Sequence, residues 1–115
     1  MSLTLYHNPR CSKSRQTLQL LKDRGLEPVT IEYLRTPPNA AALAELLAAL
    51  NSGIDSLMRT GEDDYKAARA EIAGMSEQQK LDWLARHPQV LQRPIVVHAG
   101  AARIGRPPES VLDIL

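Results

Sequence analysis

Apolar and polar residues alternate in Leu3-Thr4-Leu5-Tyr6, the pattern of a short strand with one buried face. After a polar loop the period changes. Thr17, Leu18, Leu20 and Leu21 give a helix an apolar side; Ser12 or its neighbour is placed to cap it, and Gly25 stands at the C′ position. Pro28–Tyr33 returns to strand character. Strand, helix and strand make a βαβ unit, which predicts parallel strands joined by a right-handed crossover. Thr36-Pro37-Pro38-Asn39 is a break with Asn39 as the next N-cap, and Leu43, Leu46, Leu47 and Leu50 then recur at helical spacing. A shorter helix is predicted around Asp55–Met58 and another over Asp63–Ala73. A fourth opens with the capping box Ser76/Gln79 and ends near Arg86-His87-Pro88.

Arg93-Pro94 leads into Ile95-Val96-Val97-His98, the most β-branched run of the chain. Ala99-Gly100 turns it, and Ala101–Ile104 pairs back as a hairpin. Gly105-Arg106-Pro107-Pro108-Glu109 starts a last helix with Val111, Leu112 and Leu115 inward. The order βαβ, helical insert, ββα predicts an α/β thioredoxin-like sandwich with a mixed sheet. The insert covers about residues 37–88 of a single domain spanning residues 1–115. It is too short for its own core and has no Gly/Ser linker at either edge. A proline directly before the third strand suits the cis-proline that such folds place opposite the active-site loop, so a cis bond is expected at Pro94.

Composition narrows the function. A net charge of +1 and few aromatic residues give no case for a nucleic-acid surface. The N-terminus runs straight into a strand pattern, with no apolar signal stretch and no run long enough to span a membrane. One cysteine cannot close an internal disulfide, so nothing points to secretion and the expected compartment is cytoplasmic.

That cysteine is the chemical centre of the chain. Cys11 lies where a strand hands over to a helix N-terminus, with His7, Arg10, Lys13 and Arg15 within four residues of it. Backbone N–H groups and the helix dipole there favour a thiolate and an anion beside it. The plain alternative is a buried structural cysteine; the polar, basic loop and Pro9 argue against it. Cys11-Ser12-Lys13-Ser14 lacks the second cysteine of C-x-x-C, and Thr17 stands where a cysteine phosphatase loop has arginine. His7 and Cys11 alone are a weak metal pair. A lone thiol must take electrons from an external one, and glutathione is the obvious small donor.

From His7 to Thr17 the chain reads His-Asn-Pro-x-Cys-x-x-Ser-Arg-x-Thr. Together with Leu57-Met58-Arg59-Thr60-Gly61-Glu62, Arg93-Pro94-Ile95-Val96-Val97 and Arg103–Glu109, this resembles the glutaredoxin-coupled arsenate reductase family over essentially the whole chain. The resemblance implies that Cys11 is the nucleophile and that Arg59, Arg93 and Arg106 clamp the oxyanion. It implies arsenate as substrate and arsenite as product. It also implies glutathione as electron donor, glutaredoxin as partner and no bound cofactor. Guanidinium forks suit an oxyanion with several lone pairs. Position supports Arg93 best, since it precedes the expected cis-proline; Arg106 sits at a turn into a helix, and the sequence does not dock Arg59. His7 and Arg15 are supporting candidates. His7 as a cation favours the thiolate, whereas a neutral ring fixes the loop. Arg15 tunes Cys11 or ties the loop. Arg10, Lys13, Arg24, Arg35, Arg69, Arg86 and Arg103 read as surface charge, and His87, His98, Trp83 and the leucine stripe as structural.

Two other functions stay open at this point. Related thioredoxin-like proteins bind RNA polymerase and answer to thiol oxidation, commonly through two cysteines; the lone Cys11 and the arginine set favour an enzyme. Alternatively, the same thiol chemistry serves another oxyanion or a glutathione mixed disulfide.

Overall fold

The leucines of the first strand face one side and set the fold. In the computed structural model, which describes residues 3–115, burial alternates along β1 (Leu3–His7), with Leu3, Leu5 and His7 inward. The part of the N-terminal reading that falls on Met1 and Ser2 lies outside the described residues. β1 pairs in parallel with β2 (Val29–Glu32) and antiparallel with β3 (Ile95–His98), which pairs antiparallel with β4 (Ala101–Ile104). The result is a mixed sheet of order β2-β1-β3-β4. Leu5 sits opposite Thr30 on one side and Val96 on the other.

Between β1 and β2 runs α1 (Ser12–Asp23), which ends as its sequence suggests: Gly25 takes a φ of 76°, and the Leu26 N–H returns to the Leu21 carbonyl. Leu21 of α1 joins Leu3, Leu5, Val96 and Val111 in a core that Leu18, Leu20, Leu26 and Ile114 flank. Truncating a fully buried leucine such as Leu5 or Leu21 to alanine costs about 2–5 kcal/mol. The β3–β4 turn places Ala99 and Gly100 both at positive φ, 52° and 82°, as a tight hairpin of right-handed twist requires. The last helix differs from expectation. Pro108–Ile114 is a 3₁₀ helix rather than an α-helix, a short tight segment starting from a proline pair.

Residues up to Thr36 and Arg93–Leu115 form one compact unit, and Pro37–Gln92 form a second. The second unit contains α2 (Ala40–Leu50), α3 (Asp63–Ala73) and α4 (Glu77–Arg86). The caps are those read from the sequence: the Asn39 side chain accepts from the Ala42 N–H at 2.8 Å, and Ser76 with Gln79 forms a full capping box. The short helix predicted near Asp55 is a 3₁₀ turn, Ile54–Leu57. The second unit runs to Gln92. Arg59 N–H donates to the Val90 carbonyl and Gln92 N–H to the Leu57 carbonyl, both at 2.7 Å, around an antiparallel Met58–Leu91 bridge. That ladder binds residues 88–92 into the insert. Leu43, Leu46, Leu47, Leu81, Trp83 and Leu84 are buried, which makes the leucine stripe and Trp83 packing groups, as read.

Candidate active site

The loop after β1 is held by hydrogen bonds that its own sequence supplies. The Asn8 carbonyl accepts from the Cys11 N–H and the Asn8 side chain from the Arg10 N–H, each at 3.0 Å. Arg15 donates through Nη1 to the Pro9 carbonyl at 3.0 Å, a contact that spans the loop. The Ser14 hydroxyl gathers both ends: Asn8 N–H donates to its Oγ at 3.0 Å, and His7 Nδ1 lies 2.6 Å from the same oxygen. Ser14 is fully buried in the first turn of α1. Cys11 itself is the N-cap residue, with extended backbone angles, and its thiol closes no aligned cap hydrogen bond. The residue is only half-buried.

Two guanidinium groups meet that sulfur. Arg106 donates through Nη2 to Cys11 Sγ at 3.6 Å and through Nε to the Arg93 carbonyl at 2.8 Å. Arg93 interacts with the same sulfur by hydrogen bond and by charge. Partial burial pushes the thiol pKa up. The Ser14 N–H, the Arg93 side chain, the Lys13 N–H and the Arg93 charge pull it down and together prevail, leaving it below the ordinary thiol value. The cations and the helix terminus thus favour a thiolate.

The antiparallel β3–β4 pair aligns the two arginine segments. Ile95 faces Ile104 in register, and Gly105 N–H donates to the Pro94 carbonyl at 2.8 Å. The Arg93-Pro94 peptide is cis, and so is the Arg106-Pro107 peptide. Gly105 lies against α1: a Cβ there would come within 2.6 Å of Thr17 Oγ1 and 2.7 Å of Pro94 Cγ.

His7 is neutral near pH 7. Burial lowers its pKa; the nearby Glu32 carboxylate pulls the other way, and the charges of Arg15 and Lys22 lower it further. Of the two roles open in the sequence, the structure fits loop fixing rather than charge. Tyr33, just past β2, was not anticipated. It is fully buried, and its hydroxyl completes no aligned hydrogen bond, although the Arg93 guanidinium and the Asn8 side chain both act on it. Burial pushes its pKa up, so the phenol stays protonated. Arg93 is pulled down by its own burial but raised overall by Tyr33 and Cys11, so it stays charged between them.

Cys11, Arg93, Pro94 and Arg106 therefore come together in the first unit, with His7 and Arg15 in the supporting loop. Arg59 belongs to the second unit, where Nη1 pairs with Glu62 Oε1 at 3.0 Å. Sequence reasoning missed Ser14 and Tyr33. Ser14 had a signal in its place three residues after Cys11; Tyr33 had only its position just past the C-terminal end of β2. His87 stacks on Trp83 and His98 bonds to the Ile114 carbonyl, both structural. No group of three or more His, Cys, Asp or Glu among the described residues could hold a metal, and no described helix is long and apolar enough to cross a membrane.

Fold and site define a thioredoxin-like protein with one activated thiol facing two arginines. The description "ArsC family" matches residues 6–114, and the chain belongs to that family. It is 49% identical over 112 residues to an uncharacterized protein of Escherichia coli K12, YfgD, covering 96% of this chain and 94% of that one. It is 39% identical over 118 residues to the arsenate reductase of Haemophilus influenzae, each chain covered in full. The solved structure of an arsenate reductase from Vibrio cholerae superposes with a TM-score of 0.95 at 44% identity, over 100% of this chain and 98% of that one.

Proposed function

We propose that the chain is a glutathione- and glutaredoxin-dependent arsenate reductase working in the cytoplasm. The observation that carries this reading is the Cys11 sulfur held 3.6 Å from Arg106 Nη2 with Arg93 on the same atom. A thiolate with two guanidinium groups beside it is suited to attack the centre of a tetrahedral oxyanion whose oxygens those groups hold. Full-length likeness to proteins named arsenate reductase supports the choice of arsenate. Arg59 is the third arginine of the clamp on the family likeness alone.

In the proposed cycle the Cys11 thiolate attacks arsenic, and a hydroxyl of arsenate leaves as water. A glutathione thiol then attacks the adduct. Arsenic takes two electrons and leaves as arsenite, while the two sulfurs are oxidised to a Cys11–glutathione disulfide. A second glutathione, through glutaredoxin, reduces that disulfide and frees the thiol. Overall, two thiols and arsenate give one disulfide, arsenite and water. The lack of a second cysteine in the chain makes the external thiol obligatory. Arsenate-dependent NADPH oxidation with glutathione, glutathione reductase and glutaredoxin tests the reading. Turnover is expected from the wild type and none from Cys11→Ser. Turnover that survives in Cys11→Ser overturns the mechanism, and an inactive wild type that captures RNA polymerase favours the regulator.

A further inference from the structure

Beside the thiol loop lies a cleft of about 410 Å³, within the ~300–1,000 Å³ usual for small-molecule sites. Asn8, Pro9 and Arg10 form one wall; Glu32, Leu34 and Arg35 form the other. The first wall is the Cys11 loop itself, since the Asn8 carbonyl accepts from the Cys11 N–H at 3.0 Å. The second follows from topology: β2 is an edge strand, so the chain leaving it at Glu32 borders open space. Arg10 and Arg35 read as plain surface charge in the sequence. In the structure they share one concavity with the Glu32 carboxylate, and no ion pair among the described residues engages any of the three. Pro9 and Leu34 give the cleft an exposed apolar strip.

Two guanidinium groups, one carboxylate and an apolar strip complement a ligand with two carboxylates, one ammonium and a short aliphatic body. Glutathione has that set, and its thiol is the one the Cys11 cycle needs. We infer that this cleft is the glutathione subsite, with Arg10 and Arg35 receiving the two carboxylates and Glu32 the γ-glutamyl ammonium. The inference rests on the reading that glutathione completes the Cys11 cycle, but it can be tested without arsenate.

The probe is glutathione disulfide. The Cys11 thiolate attacks one of its sulfurs, the S–S bond breaks, and a glutathione thiolate leaves with the electron pair; intact mass follows the mixed disulfide. Dithiodiglycolate, an anionic disulfide of the same net charge without the ammonium or peptide, is the control. Exposed ion pairs are individually weak, so Arg10→Ala and Arg35→Ala are each expected to slow the glutathione disulfide reaction by about three- to fivefold. The dithiodiglycolate rate should move by less than about twofold. Glu32→Gln separates recognition from a general field. It slows glutathione disulfide if Glu32 holds an ammonium, whereas a purely electrostatic effect speeds both anions. An unchanged ratio of the two rates in Arg10→Ala, Arg35→Ala and Glu32→Gln overturns the subsite. So does a loss seen only in the glutaredoxin-dependent step, which makes the cleft a protein-docking surface. A subsite confirmed in a protein that reduces no arsenate leaves the cleft standing and removes the oxyanion reading instead.

Discussion

His7 Nδ1 and Ser14 Oγ lie 2.6 Å apart, and through that contact a neutral imidazole joins the end of β1 to the first turn of α1. The same hydroxyl accepts from the Asn8 N–H, so one buried oxygen organises the start of the thiol loop. Ser14→Ala leaves both partners unsatisfied in a buried site and is expected to cost about 1–3 kcal/mol, measured by urea unfolding.

The buried ring also fixes a pH dependence. The folded-state pKa of His7 lies below the ordinary value of about 6.5, because burial opposes its charge. Below pH ~6.5 the unfolded chain therefore binds this proton first, and stability falls with falling pH until the folded-state pKa is passed. Above that range both states are neutral and the contribution is complete. Melting temperatures at pH 7.5 and 5.5 should differ more in the wild type than in His7→Asn. An equal difference in the two proteins would rule out His7 as the source.

Arg93 lowers the Cys11 thiol pKa and Arg106 donates to the same sulfur, so losing either is expected to raise that pKa. Iodoacetamide labelling against pH should show the shift towards the alkaline side in Arg93→Ala and Arg106→Ala. Turnover with arsenate should fall by about 10²–10³ in kcat/KM, the size of effect seen when an oxyanion donor is removed. Lysine at position 93 restores charge but not the fork, so recovery should be partial. Phosphate, matching arsenate in shape and charge, should inhibit competitively.

Tyr33→Phe separates stability from function. The hydroxyl is buried without an aligned partner, so deleting it should leave the unfolding midpoint unchanged or raise stability by about 1 kcal/mol. The same change removes an oxygen that acts on the Arg93 guanidinium. Arsenate turnover should drop severalfold, because Arg93 loses a neighbour that acts on it beside Cys11. A variant that loses stability and activity in step would mark Tyr33 as a packing residue only.

Gly105 is the close-approach point between the arginine segment and α1. A methyl group there meets Thr17 Oγ1 and the Pro94 ring at distances atoms do not share. Gly105→Ala should destabilise the protein by about 1–3 kcal/mol and, by moving Arg106, slow Cys11 alkylation at pH 7.

Much of this was legible because it is local. The capping box at Ser76 and Gln79, the Gly25 stop and the Ala99-Gly100 turn are each written within a few residues. Cys11 and the strand–loop–helix around it were legible for the same reason. What escaped depends on contacts distant in sequence. Tyr33 meets Arg93 only once the sheet has formed, and nothing about a tyrosine after a strand says that its hydroxyl will be buried. The Leu57–Arg59 and Val90–Gln92 ladder, which sets the insert's end, joins segments about thirty residues apart. Arg10 and Arg35 read as ordinary surface charge because each was weighed alone, while the cleft that makes them a pair exists only in three dimensions.

The chain's one thiol is also the atom on which its chemistry is proposed to turn. A stoichiometric thiol titration of the folded protein is therefore an active-site count, with no background from other cysteines to subtract. Any preparation can be graded by that number before an assay. A maleimide reporter attaches at one place only, and it silences the molecule it labels.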